Sequence, residues 1–143
     1  MSDIIIIDQK ILRQISRPTT WEEIKELDLK KRLRKALKTA WIKGAGVAAI
    51  QIGVPVRFVW IHTPNDKEEF LINPEIIERK GEGIYFREAC LSIPHNYVNT
   101  KRWFYIEYIS GGKKRTANNF KAVLIQHEID HLDGILNIDR QAK

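Results

Sequence analysis

The segment that most constrains the fold lies near the end of the 143-residue sequence, where the pattern HExxH occupies positions 127–131. The surrounding residues have helical periodicity, so His127 and His131 stand one helical turn apart and point the same way. Two imidazoles in this arrangement favour a divalent metal ion, and Glu128 between them can take a proton from water bound to that ion. The motif therefore predicts a metal-dependent hydrolase.

A catalytic metal site also needs a third protein ligand and an open position. Asn137 stands where the metzincin pattern HExxHxxGxxH requires a histidine, and the residues after His131 contain no glutamate. We therefore expect the third ligand upstream. Cys90, the only cysteine, is the strongest candidate, and His62 and His95 are the alternatives.

The N-terminal region and the single cysteine indicate the cellular compartment. Cys90 alone cannot form an intramolecular disulfide, and the apolar run at residues 4–7 is too short for a signal peptide and lacks a basic leader. We expect a cytoplasmic protein without a membrane segment.

A small-residue segment at positions 44–53 contains GxGxxA, the loose dinucleotide-binding pattern, but that pattern must follow a strand. Residues 20–43 instead predict one helix, with a capping box at its start and Gly44 placed to end it. Two interpretations stay open. The segment packs closely against a neighbour, or its glycines let the backbone approach a substrate while Gln51 supplies an amide donor.

Other patterns predict strands at residues 57–61 and 103–109, with a hairpin turn at residues 110–113. On the motif helix, Phe120 and Leu124 share a face with both histidines, which predicts an apolar stripe that carries the ligands into the core.

Three segments together resemble the peptide deformylase family. They are GxGxAAxQ at residues 44–51, a near match to EGCLS at residues 88–92, and QHExDHLxG at residues 126–134, in the order and approximate spacing of that family. The resemblance implies an α+β fold with antiparallel β-sheets around a central HExxH helix and an N-terminal helix packed outside. Length and composition favour a single catalytic domain over residues 1–143.

The resemblance also implies the chemistry. The metal ligands would be Cys90, His127 and His131, holding one divalent ion, natively Fe²⁺, with Zn²⁺, Ni²⁺ or Co²⁺ as substitutes. The reaction would remove the formyl group from the N-terminal formyl-methionine of nascent polypeptides and release formate. Metal-bound water would attack the formyl carbon, with Glu128 as general base and then general acid.

Three residues are implied to act beside the metal. The Gln51 side-chain amide and the backbone N–H of Leu91 would hold the oxyanion. Gly46 would let the peptide backbone run alongside the protein as an added strand.

Four further residues are implied with support or substrate roles. Glu88 would pair with Arg102, although two unrelated surface charges are the alternative. Ala45 and Leu124 would form walls of the methionine pocket.

The sequence departs from the family pattern at several positions. Ala89 replaces the usual glycine before the cysteine, Ile50 replaces a frequent proline, and Tyr97 stands where many bacterial members have an arginine that contacts the peptide. The chain also ends soon after the motif helix, which resembles the compact deformylases of bacteriophages. Its location would then be the host cytoplasm.

The net charge of +6 comes largely from the basic stretch that runs from Lys30 to Lys43. This stretch is either a solvated face or a transient ribosome contact, since deformylation acts on nascent chains and rRNA attracts basic surfaces. We expect a monomer. A zinc endopeptidase and an inactive protein that caps formylated N-termini are the competing function classes.

Overall fold

The computed structural model describes residues 3–41, 45–64 and 67–142. Its helices are α1 (Gln9–Leu12), α2 (Trp21–Glu26), α3 (Leu29–Ala36) and α4 (Asn119–Leu132), with 3₁₀ helices at Leu37–Thr39, Ala49–Ile52 and Asn137–Arg140. Its strands are β1 (Gly46–Ala48), β2 (Phe58–Ile61), β3 (Glu69–Ile72), β4 (Glu75–Cys90), β5 (Ile93–Ser110) and β6 (Lys113–Asn118). Among the described helices, none has the length and apolar character needed to cross a membrane.

The strands form two antiparallel sheets of three strands each, in the orders β1-β2-β3 and β4-β5-β6. Helix α4 packs against strands of both sheets, so the HExxH residues lie between them. The predicted α+β fold with antiparallel sheets is confirmed.

The first sheet is buried on both faces, which explains why every residue of β2 is apolar and buried. Phe58 and Trp60 pack with the core formed by α2 and α3, whereas Val59 and Ile61 pack with the core around α4. Side chains alternate across a strand, so one short strand serves two hydrophobic clusters. This layer links the N-terminal helices to the site helix.

The prediction of one helix over residues 20–43 is wrong. Its start is correct, because the Thr20 hydroxyl accepts a hydrogen bond from the Glu23 N–H at 3.2 Å. The chain then breaks at Asp28, whose φ of +53° lies in the left-handed region that aspartate tolerates. This break lets Ile24 and Leu29 enter the same core cluster. The predicted stop at Gly44 lies outside the described residues, as does Lys43.

The strands predicted at residues 57–61 and 103–109 are confirmed, with β2 beginning one residue later than predicted, at Phe58, and 103–109 lying within β5. The predicted hairpin turn is also confirmed, because β5 pairs with β6 across Gly111 and Gly112, both at positive φ. The β4-β5 hairpin is the longest strand pairing, and Cys90 lies at its turn, where it pairs with Ile93.

Candidate metal centre and active site

Three buried side chains converge where the β4-β5 hairpin meets α4. Cys90 ends β4, and His127 and His131 lie on α4, with ligand atoms that are all within 4.8 Å of one another. The Cys90 Sγ is 3.5 Å from the His131 Nε2. Within the described ranges this is the one cluster of its kind, so the alternative ligands His62 and His95 do not belong to it.

The donor set fits a divalent transition metal. One thiol and two imidazoles, buried and aimed at a common point, are ligands that Zn²⁺ and Fe²⁺ accept, and three protein donors leave a position open. This donor chemistry does not select one metal from that group.

The two histidines differ in their electrostatic surroundings. Burial lowers the pKa of His127, but hydrogen bonds to Cys90 and Glu88 outweigh burial and raise that pKa well above its usual value. Burial and the positive charge on His127 lower the pKa of His131. A metal binds neutral imidazole, so an ion held by this cluster would displace the His127 proton.

Glu88 orients His127 through a 2.9 Å contact between its Oε2 and the His127 Nδ1. Arg102 donates to both carboxylate oxygens of Glu88, at 2.9 and 2.8 Å, and the Thr100 hydroxyl donates at 2.9 Å. Both charged residues are buried, so they are not two unrelated surface charges. Burial raises the pKa of Glu88, but the bonds to His127 and Arg102 lower it to about 2. The carboxylate is therefore ionised where it holds the imidazole.

Asp130 lies inside the motif and is also buried, although no role was predicted for it from the sequence. Arg102 donates to Asp130 Oδ2 at 2.7 Å, and Arg140 donates to Asp130 Oδ1 at 3.0 Å. The spacing of the motif could have indicated a role beside His127, because residues three positions apart on a helix have neighbouring side chains. This network ties α4 to β5 and to the C-terminal 3₁₀ helix.

Glu128 is 2% exposed, and its Oε1 has no hydrogen-bond partner among the described residues. Burial raises its pKa to about 7, although the positive charge on His127 opposes that shift. A carboxyl group with this pKa exchanges protons readily near neutral pH. A Cβ at Gly46 would lie 2.8 Å from the Glu128 Oε2, so the missing side chain makes room for this carboxylate.

Gln51 is held rigidly on the 3₁₀ helix that follows β1. Its Oε1 accepts from the Ala48 N–H at 2.9 Å, and its Nε2 donates to the Ser92 Oγ at 3.0 Å. A side-chain amide has two N–H groups, so one remains for another acceptor. Ser92 was missed from the sequence because its role depends on a contact between distant segments.

Trp41, which lies in the segment predicted as one helix, also contacts the site. Its indole Nε1 donates to the Cys90 carbonyl at 3.3 Å. Its ring packs on His95 and Tyr97, with centroid separations of 4.9 and 5.9 Å. The side chain therefore covers the outside of the ligand-bearing turn.

A cavity of about 250 Å³ opens beside His127 and Glu128. Its walls are mostly apolar and include these residues singled out from the sequence: Ala45, Gly46, Gln51, Leu91, Phe120 and Leu124. At this end of the predicted apolar stripe on α4, Phe120 is 42% exposed and lines the cavity, whereas Leu124 lines the cavity and also packs in the core around α4. The size and lining suit a small apolar ligand group.

Comparison with known proteins agrees with this geometry. A family model described as polypeptide deformylase matches residues 1–143. The peptide deformylase of Rhizobium meliloti (strain 1021) is 36% identical over 150 residues, which cover 98% of this chain and 84% of that protein.

Solved structures give the same result. The crystal structure of peptide deformylase from Thermotoga maritima has a TM-score of 0.87 at 28% identity and covers 100% of this chain and 99% of that one. A probable peptide deformylase from synechococcus phage S-SSM7 has a TM-score of 0.84 at 27% identity, covering 98% and 99%. Chain length therefore does not separate a bacterial from a phage source. These likenesses confirm the predicted fold class, and the chain belongs to the peptide deformylase family.

Proposed function

We propose that this protein removes the N-terminal formyl group from formyl-methionyl polypeptides by metal-dependent hydrolysis and releases formate. Its family carries out this deformylation on nascent peptides. The observation that supports the proposal most strongly is that Glu128 and His127 line the same cavity, and that His127 belongs to the cluster of three convergent metal donors. Water, a scissile bond and a proton acceptor can meet there.

The ion would be held by Cys90, His127 and His131, with Fe²⁺ native and Zn²⁺, Ni²⁺ or Co²⁺ as substitutes. When bound, such an ion supplies Lewis acidity, which lowers the pKa of water and polarises a carbonyl oxygen. A thiol and two imidazoles form a borderline-soft donor set that accepts all four metals. Elemental analysis of protein purified without oxygen would identify the native metal.

Glu128 would take the proton from the attacking water and later give it to the departing amine nitrogen. Its pKa of about 7, raised by burial, suits both steps. The free amide N–H of Gln51 and the backbone N–H of Leu91 would stabilise the developing oxyanion. Loss of one such donor costs on the order of a hundredfold in turnover.

The formyl-methionine side chain would occupy the cavity between Ala45 and Leu124, both of which line it. Gly46 lies on β1, which is the edge strand of its sheet. An extended peptide could add to that edge through backbone hydrogen bonds.

Formate release from formyl-Met-Ala-Ser tests the proposal, with the parent protein and Glu128→Ala compared at equal metal content. We expect release by the parent and a loss of at least about a hundredfold in the variant. Absence of formate from the fully metal-loaded parent would reject the proposal. Cleavage of internal bonds in unformylated peptides would instead support an endopeptidase.

We also infer that the basic stretch contacts the ribosome. On α3, Arg32 pairs with Asp3 and Arg34 pairs with Glu68, so these two arginines are partly neutralised. Across the described part of this stretch the exposed lysines are Lys30, Lys31, Lys35 and Lys38, and the Lys30 ammonium lies over the rings of Trp21 and Phe70. Lysines of this kind attract phosphate backbones in a salt-dependent way.

Replacing the three lysines at positions 31, 35 and 38 with glutamate should reduce cosedimentation with ribosomes at low salt. A matched triple replacement at Lys10, Lys67 and Lys113, which are also exposed, is the control. Equal cosedimentation of both triple variants would contradict the contact.

We further propose that residues 1–143 act as one catalytic domain, as a monomer, in the cytoplasm or in the host cytoplasm if a phage encodes the chain. The family match over residues 1–143 supports the single domain. Light scattering coupled to size exclusion would test the monomer.

A further inference from the structure

We propose that Arg87 gives the enzyme a preference for peptides with an acidic side chain in the residues that follow formyl-methionine. Arg87 lines the same cavity as Glu128. The preference rests on the deformylase function proposed above, because it concerns the charge of the formylated peptide that this cavity would accept.

The backbone directs Arg87 to the cavity. The β4-β5 register shifts between Tyr85 and Glu88, and Arg87 in this irregular stretch has a φ of +60°. Its backbone N–H donates to the Asn99 Oδ1 at 3.0 Å, which fixes the irregular conformation. Arginine rarely adopts positive φ, so the surrounding contacts hold the residue in an unfavourable conformation.

An aromatic ring holds the guanidinium of Arg87. Its central carbon lies 4.6 Å from the centroid of the Tyr97 ring, and Tyr97 also lines the cavity. Trp41 packs edge-on against Tyr97 from another segment, with centroids 5.9 Å apart. Stacking on a ring leaves the edge N–H groups of a guanidinium free to bind a carboxylate.

The charge of Arg87 is available to a ligand. Across the part of the chain that the structure describes, Arg87 makes no ion pair. Two carboxylates of the protein line the cavity, but Glu88 is bound by Arg102, and Glu128 is only 2% exposed. An incoming carboxylate therefore meets one exposed positive charge, held on an aromatic support.

Ion pairs at exposed positions are weak, so we expect a preference of about threefold to fivefold in kcat/KM. The preference should decrease at about 0.5 M NaCl because screening weakens exposed pairs. A contact with the peptide backbone alone would affect all substrates equally and create no preference.

The test uses four peptides with amidated C-termini, so that no terminal carboxylate competes for Arg87. They are formyl-Met-Asp-Ser and formyl-Met-Ala-Asp, each with its asparagine counterpart. Formate release by the metal-loaded parent should be faster with aspartate at one or both positions. Arg87→Gln should abolish the ratio, and Arg87→Glu should reverse it.

The matched control is Arg79→Gln, since Arg79 is also exposed on β4 but does not line the cavity. This variant should keep the parental ratio. A parental ratio of one, or a ratio unchanged in Arg87→Gln, would overturn the inference while leaving deformylation intact. Equal losses on all four peptides in Arg87→Gln would also overturn it. No formate from any peptide with the parent would reject deformylation and this inference together.

Discussion

Replacing Gly46 with alanine tests whether the position of the Glu128 carboxylate controls turnover. A Cβ at Gly46 would lie 2.8 Å from the Glu128 Oε2 and 3.2 Å from its Cδ and Cγ. Ordinary van der Waals contact begins near 3.5 Å, so the carboxylate must move by at least about half an ångström. Displacements of this size in a catalytic group reduce turnover by about tenfold to a hundredfold.

The folded state should tolerate the same change better than the reaction does. The Glu128 Oε1 has no hydrogen-bond partner among the described residues, so the carboxylate can shift without breaking a bond there. We expect a loss of about 1–2 kcal/mol in unfolding free energy, as for a small overpacking of a buried site. Metal content should not change, because the three atoms nearest to the added methyl group all belong to Glu128.

Gly83→Ala is the matched control. A Cβ at Gly83 would also lie 2.8 Å from a side-chain atom, the Cε2 of Phe104, but this contact is on the β4-β5 hairpin outside the cavity lining. The assay is formate release from formyl-Met-Ala-Ser at equal metal content, with urea unfolding measured beside it. Full activity in Gly46→Ala, or an equal loss in both variants, would refute the reasoning.

Three further changes test other parts of the structure. Because hydrogen bonds lower the pKa of Glu88 to about 2 despite burial, its ionised form stabilises the fold above pH 4.5, and this contribution is lost as the pH falls towards 2. In the metal-free protein, acidification should lower the free energy of unfolding, measured with urea, and Glu88→Gln should reduce this loss by on the order of 3 kcal/mol. Glu78→Gln, at an exposed position, should leave the loss unchanged. Ser92→Ala removes the acceptor that holds the Gln51 amide, so kcat/KM should fall by about fivefold to tenfold at unchanged metal content; an unchanged kcat/KM would argue against this positioning. Leu33→Ala should lower the unfolding free energy by about 2–5 kcal/mol, measured by urea titration, while activity per folded molecule stays near the parental value.

Local patterns in the sequence predicted much of the chain correctly. The cap at Thr20 forms, the two predicted strands form, and the glycine pair at 111–112 turns the hairpin. These features depend on residues a few positions apart, so local physical chemistry determines them. The helix break at Asp28 was not predicted, because the helical spacing of apolar residues continues through it. The break is needed only because Ile24 and Leu29 pack in the same core cluster.

The supporting contacts of the site needed the folded chain. Asp130 and Ser92 are ordinary polar residues in the sequence, and each gains a role from a partner in a different element. Gly46 shows the same limit. Resemblance to the family suggested that it accommodates the peptide, while the structure shows that a side chain there would strike Glu128.

The sequence by itself determined that His127 and His131 stand on one helix face with a glutamate between them, because helical spacing alone aligns residues four positions apart. The sequence indicated Cys90 as the strongest candidate for a third metal ligand, with two other histidines as alternatives. Only the tertiary structure decided among them, because the β4-β5 hairpin carries Cys90 to α4 and leaves His62 and His95 outside the cluster. Burial was likewise decided by the fold, since two sheets and a helix must close around Glu128 before its pKa can rise.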